Sequence, residues 1–170
     1  MSDYMRGLRG RVGTTLLEIP SVALAIRDGA GRVLLGRYLA DGRWLLPGGA
    51  VEPLENPADA ALREGHEETG LHLELLRIVG VYGGPRCRVR YPNGDEIAFV
   101  AAVFEARVAG GAETPDGEEL DQLRWFDREA CAGLDTSAWV PPILADVFAG
   151  AAEAAFAASD WQPPLGWPLT

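Results

Sequence analysis

Apolar and polar residues along the chain sort into strand-like runs at the front, one helical repeat before the middle, and more strand-like runs behind it. Residues 1 to 19 read as a polar N-terminal arm. SVALAIRD and GRVLLGRY, rich in Val, Ile and Leu, predict two strands joined by the turn-forming Asp28-Gly29-Ala30-Gly31, which makes a hairpin. Trp44 to Leu46 predicts a third short strand, stopped by Pro47-Gly48-Gly49. A helix is predicted from Asn56, a good N-cap followed by Pro57 and Asp59, to Gly70, a good C-terminal cap. Ala58, Ala61, Leu62 and Gly65 fall on one face of it, and Glu64, Glu67 and Glu68 on another.

From Leu71 onward the runs LELLRIVGVYG, CRVRY, IAFVAAVFEARV and QLRWF predict strands; the third is nearly continuous in apolar residues, as a central strand would be. PPILADVFAGAAEAAFAA repeats apolar residues at Ile143, Val147, Ala151 and Ala155 and predicts a C-terminal helix. Residues 108 to 119, VAGGAETPDGEE, read as a long polar loop. Strands interleaved with two helices predict a mixed sheet covered on both sides. With no internal repeat or linker, the expected organisation is one domain over residues 20–158, between the arm (1–19) and a Pro-rich tail (159–170). Trp161 and Trp167 in that tail are expected to make packing or dimer contacts.

Composition narrows the function classes. A chain of 170 residues, 48% hydrophobic and 24% charged, suits one folded domain. No window holds eighteen apolar residues and the start lacks the apolar core of a signal peptide, so a cytoplasmic protein without a membrane partner is expected. The net charge of -10 repels phosphate backbones, which argues against a nucleic acid polymer as partner. Cys87 and Cys131 have no C-x-x-C spacing and read as two reduced thiols. All 15 basic residues are Arg, which excludes a P-loop lysine, a Schiff-base lysine and a Ser-Lys pair. His66 and His72 do not suggest a Ser-His-Asp triad. An enzyme of this composition must work with carboxylates.

Glu64, Glu67 and Glu68 stand at i, i+3 and i+4, which turns three carboxylates toward one region. Such a face is either solvated or a site for a hard divalent cation, and the helix alone leaves both readings open. The longer segment from Gly49 through Glu55, Arg63, Glu64, Glu67, Glu68 and Gly70 to Leu71 resembles the Nudix box, G-x5-E-x7-R-E-U-x-E-E-x-G-U with U a bulky aliphatic, at every position but one. The departure is Gly65, where the family usually has Ile, Leu or Val; Leu54 also replaces a frequent Gly. Beyond the box, Tyr4 to Arg9 with Val12-Gly13, Leu34-Leu35-Gly36-Arg37, Trp44 to Gly49, Tyr91 to Glu96, and Glu118-Glu119 ahead of Leu123 to Phe126 resemble a bacterial MutT-like subgroup, from about residue 4 to residue 146.

The resemblance implies the Nudix fold, an α/β/α sandwich around a mixed β-sheet, and a metal-dependent pyrophosphohydrolase. Water would attack phosphorus in a nucleoside diphosphate linked to another moiety, a small-molecule nucleotide. By position, Glu64 and Glu68 match the main ligands for Mg2+ or Mn2+, Glu67 a further ligand or water-orienting group, and Gly48 a backbone carbonyl beside them. Arg63 and Glu55 match a pair that shapes the loop and helix. Glu67 and Glu119 are the candidates for general base, with Glu96 and Glu118 behind them. Arg37 is expected to grip phosphate, and Arg86, Arg88 and Arg90 alternate along one strand face with Arg88 as the substrate contact. Tyr38, Trp44 and Tyr82 are candidates either for stacking on a base or for the core, with Trp44 carried forward as the substrate contact. The alternative is a non-catalytic nucleotide-sensing domain, a class that commonly loses box carboxylates; all are present here. Isoprenoid diphosphate isomerisation is disfavoured because Cys87 lies outside the box without a matching motif. Apolar surface on the arm and tail predicts a homodimer.

Overall fold

The computed structural model describes residues 3–91 and 93–161. Its elements in chain order are α1 (Asp3–Val12), β1 (Leu17–Arg27), β2 (Val33–Tyr38), β3 (Trp44–Leu45), α2 (Pro57–Thr69) and β4 (Leu71–Tyr82). Then follow β5 (Arg88–Arg90), β6 (Glu96–Gly111), β7 (Leu120–Phe126), α3 (Arg128–Cys131) and α4 (Val140–Ala149). Strand order is β3-β2-β1-β6-β4, with β5 paired to β6 and β7 to β2. The sheet is mixed: β1 runs parallel to β6 from Leu17↔Ile97 to Arg27↔Arg107, and the other pairs are antiparallel.

β1 is the element that gives the molecule two sides. Val22, Leu24 and Ile26 pack on α2 through Ala60 and Ala61, while Ala23 and Ala25 join the cluster of Val140, Ile143, Leu144 and Val147 from α4. A central strand buried on both faces needs this unbroken apolar run. The result is the expected α/β/α sandwich.

Four expectations are corrected. The N-terminal segment is not simply a polar arm: α1 occupies residues 3–12, and Met5 is buried against Ile19, Cys87 and Phe99. Gly7 and Gly10 inside it each lower helix propensity by about 1 kcal/mol, which obscures it in the sequence. β1 also begins before Pro20, a residue that reads as a strand breaker; its carbonyl instead accepts the Val51 amide at 2.9 Å. The C-terminal helix stops at Gly150, whose left-handed φ of 65° caps it, rather than running on to Ala155. Ala155 forms a bridge to Gly80 on β4, with its amide donating to Val79 at 2.8 Å. The polar loop is shorter than expected, since β6 extends to Gly111. Trp161 is exposed, and the contacts expected of Trp167 lie outside the described residues.

Candidate active site

The loop after β3 is stitched to the edge of β1, and this fixes everything that follows. Val22 donates its amide to Gly49 O at 2.9 Å and Leu24 to Pro47 O at 2.8 Å. Two glycines make the seam possible. A Cβ on Gly48, whose φ is 150°, would lie 2.3 Å from Val22 O. A Cβ on Gly49 would lie 2.5 Å from the Glu64 carboxyl carbon, so the glycine leaves room for that carboxyl. α2 then starts at Asn56, whose side chain accepts the Ala58 amide at 3.0 Å, and ends at Gly70 with φ 69°, as its capping residues predict. Leu54, in the same loop, adopts φ 68°, a region where glycine costs nothing.

Arg63 holds the loop against the helix. Its Nε and one terminal nitrogen each donate to Glu55 at 2.9 Å, and it also donates to Ala50 O at 3.1 Å. This bidentate pairing lowers the Glu55 carboxyl to a pKa of about 2, helped by the Glu52 amide. The other terminal nitrogen donates to Glu64 at 2.7 Å and to Glu67 at 3.3 Å.

The box carboxylates differ in burial. Glu68 is buried, accepting the Gly48 amide at 2.8 Å; Glu64 is partly buried and Glu67 exposed. Loss of water pushes Glu68 well above the usual carboxylate range, and the charges of Glu64, Glu119 and Asp116 push the same way against the Gly48 amide. Glu64 is also raised by burial, with Arg63 opposing. A set of oxygen donors that resists ionising together is what a hard divalent cation neutralises. Among the described residues no three carboxylates close into a preformed ligand cage, so the fit to Mg2+ or Mn2+ is one of charge and donor type.

These groups line an open cleft of about 1170 Å3, which has room for a nucleotide-sized ligand. Gly48, Arg63, Glu64, Glu67 and Glu68 meet Glu118 and Glu119 there, the Glu119 amide being held by Asp116 at 3.0 Å. Arg88, Arg90 and Tyr38 also line it, with both arginines paired to Glu96. Arg37 and Trp44 do not line it, against expectation. Arg37 is spent on a bidentate pair with Asp121 (2.8 Å through Nε), and Trp44 packs edge-on to Phe126, with ring centroids 4.9 Å apart. Tyr82 donates to Asp146 at 2.8 Å and packs with the α4 cluster, and Arg86 precedes β5 in a turn. Sequence reasoning missed Met5, Tyr91, Phe99 and Trp139, which line the cleft from four separate segments. Only the chain fold brings them together, so no local spacing could announce them.

The NUDIX domain model matches residues 17–147. The chain belongs to the Nudix family. As a member it is a hydrolase acting on phosphoric anhydride bonds. It is 35% identical over 115 residues to a MutT-like protein of Streptomyces ambofaciens, covering 68% of each chain. It is 31% identical to an RNA pyrophosphohydrolase of Bartonella henselae, over 71% of this chain and 83% of that one. In structure it is similar to a MutT Nudix hydrolase from Burkholderia pseudomallei, with TM-score 0.63 and 28% identity over 76% of this chain and 98% of that one. Among the described residues no helix is long and apolar enough to cross a membrane.

Proposed function

We propose that this Nudix hydrolase is a Mg2+- or Mn2+-dependent pyrophosphohydrolase that cleaves the pyrophosphate bond inside a nucleoside diphosphate linked to another group, by attack of water on phosphorus. The observation that carries this reading is Glu64 and Glu68 held in the cleft by Arg63 and the Gly48 amide, with Glu67 and Glu119 beside them. Glu64, Glu67 and Glu68, with the backbone of Gly48, would hold the cation. A bound divalent ion supplies screening of the pyrophosphate charge and a water of lowered pKa. Arg63 orients Glu64 and Glu67, so its contribution is to shape. Glu67 and Glu119 both stand on the cleft as acceptors for the proton of the attacking water. Arg88, which lines the cleft, is assigned the contact with a phosphate of the substrate. The pyrophosphohydrolase activity named for the Bartonella relative agrees with this chemistry.

The test is a panel of nucleoside triphosphates, dinucleoside polyphosphates, ADP-ribose and other nucleotide sugars, assayed with Mg2+ and with Mn2+. The expected products are a nucleoside monophosphate and a phosphorylated remainder. Absence of cleavage across the whole panel would contradict the proposal.

A further inference from the structure

The cleft has two chemically different parts. Along α2 and at Asp116, Glu118 and Glu119 it is acidic; farther from α2, beside Arg88, Arg90 and Asp95, it has an apolar wall of Met5, Ile19, Val89, Ile97, Phe99 and Trp139. Phe99 and Trp139 meet edge to face, ring centroids 5.7 Å apart at 89°. An apolar pocket beside a charged centre suits a ligand with an anionic end and a flat, weakly polar end, which describes a nucleotide. One wall of this pocket, Met5, comes from α1, which precedes the stretch matched by the family model. A thioether is adaptable and makes favourable contact with aromatic rings.

α1 is also firmly moored. Arg9 points back from its last turn and donates to three backbone carbonyls: Gly13 at 3.1 Å, Thr15 at 2.6 Å and Glu96 at 2.6 Å. Its Nε lies 3.7 Å from the Asp95 carboxylate, and its side chain is only 9% exposed. Fixing so long a side chain costs rotamer entropy, which these bonds offset. They tie the helix to the turn between β5 and β6, where Tyr91, another cleft residue, accepts the Gly94 amide at 2.9 Å.

We infer that α1 is part of the active site: Met5 closes the apolar pocket that receives the nucleobase of the substrate, and Arg9 is the positioning residue that holds the helix there. This rests on the reading of the chain as a nucleotide pyrophosphohydrolase.

The experiment is calorimetric titration of the full chain with nucleoside monophosphates and, separately, inorganic pyrophosphate, followed by steady-state kinetics on a substrate from the panel. Met5→Ala should weaken nucleoside monophosphate binding about tenfold, the scale set by removing apolar contacts from a pocket. It should leave pyrophosphate affinity at the wild-type value, and the kinetic loss should fall on KM more than on kcat. Met5→Leu should restore most of the binding. Arg9→Ala should reproduce the Met5→Ala pattern and serves as the second variant if Met5→Ala fails to fold. Equal weakening of both ligands, or no weakening in a folded variant, would overturn the inference. A wild-type chain that cleaves no phosphoric anhydride in the panel strikes the proposed function instead.

Discussion

Glu68 sits among groups that oppose its charge: it has lost water, receives a single amide and faces Glu64 and Glu119. Glu68→Gln keeps an oxygen for the Gly48 amide while removing that charge. Like charges at this spacing cost about 0.2–0.5 kcal/mol per pair on a helix, so the metal-free variant should melt about 1–2 °C higher. Turnover should fall more than about a hundredfold, beyond the 10–100-fold typical of groups that only orient ligands. Lower melting with normal turnover would make this carboxylate structural. Glu55 behaves oppositely. Its pKa of about 2 lies below the ordinary 4.5, so its contribution is complete above pH 4.5 and is lost as pH falls toward 2. For a pair that still meets solvent, with the Glu55 side chain 18% and the Arg63 side chain 31% exposed, this amounts to no more than about 1 kcal/mol. Denaturant titrations should therefore show Glu55→Gln less stable than wild type at pH 7, with the gap closing over that acid window; a gap independent of pH would contradict the pairing. The carboxylates and Arg63 were legible in the sequence because one helix and its preceding loop set their spacing. Arg37 and Trp44 were misread because nothing local reveals Asp121 or Phe126 across the sheet.

At the level of elements, α2 was legible to the residue because both of its caps are local signals. α4 was overextended because an alanine-rich period continues past the glycine that ends it. Leu62, expected on the apolar face, is instead 37% exposed, and Glu68 is buried. Gly65 explains how α2 sits so close to the sheet. A Cβ there would lie 2.5 Å from Leu73 Cδ1 and 2.6 Å from Leu24 Cδ1, so leucines from β4 and β1 fill the space that an aliphatic helix residue occupies in the box pattern. Gly65→Leu should therefore destabilise the protein by about 1–3 kcal/mol through overpacking. Gly65→Leu with Leu73→Ala should recover most of that loss, and a double-mutant cycle in denaturant measures the coupling. A single variant as stable as wild type would mean that α2 can shift freely on the sheet.

Over the whole molecule, the sandwich was legible because strand and helix periods alternate in the order the layers require. The cleft was only half legible: α2 supplies one side, but the other is assembled from α1, β6 and the segment before α4. β4 leaves Leu76, Ile78 and Val81 about half exposed, at 50%, 45% and 50%, and Trp161 is 63% exposed. A homodimer covering this surface is expected, with light scattering at micromolar concentration giving twice the chain mass; a monomer mass would contradict it. The central claim is that the carboxylates of α2 work through a divalent cation, since cleft arginines are already paired with the protein's own carboxylates, Arg63 with Glu55 and Glu64 and both Arg88 and Arg90 with Glu96, and a further cation is needed to offset the charge of a pyrophosphate. The most direct measurement is hydrolysis of the best panel substrate in excess EDTA, followed by re-addition of Mg2+ or Mn2+. The account predicts that turnover disappears with the chelator and returns with the metal, whereas undiminished turnover in EDTA would contradict it.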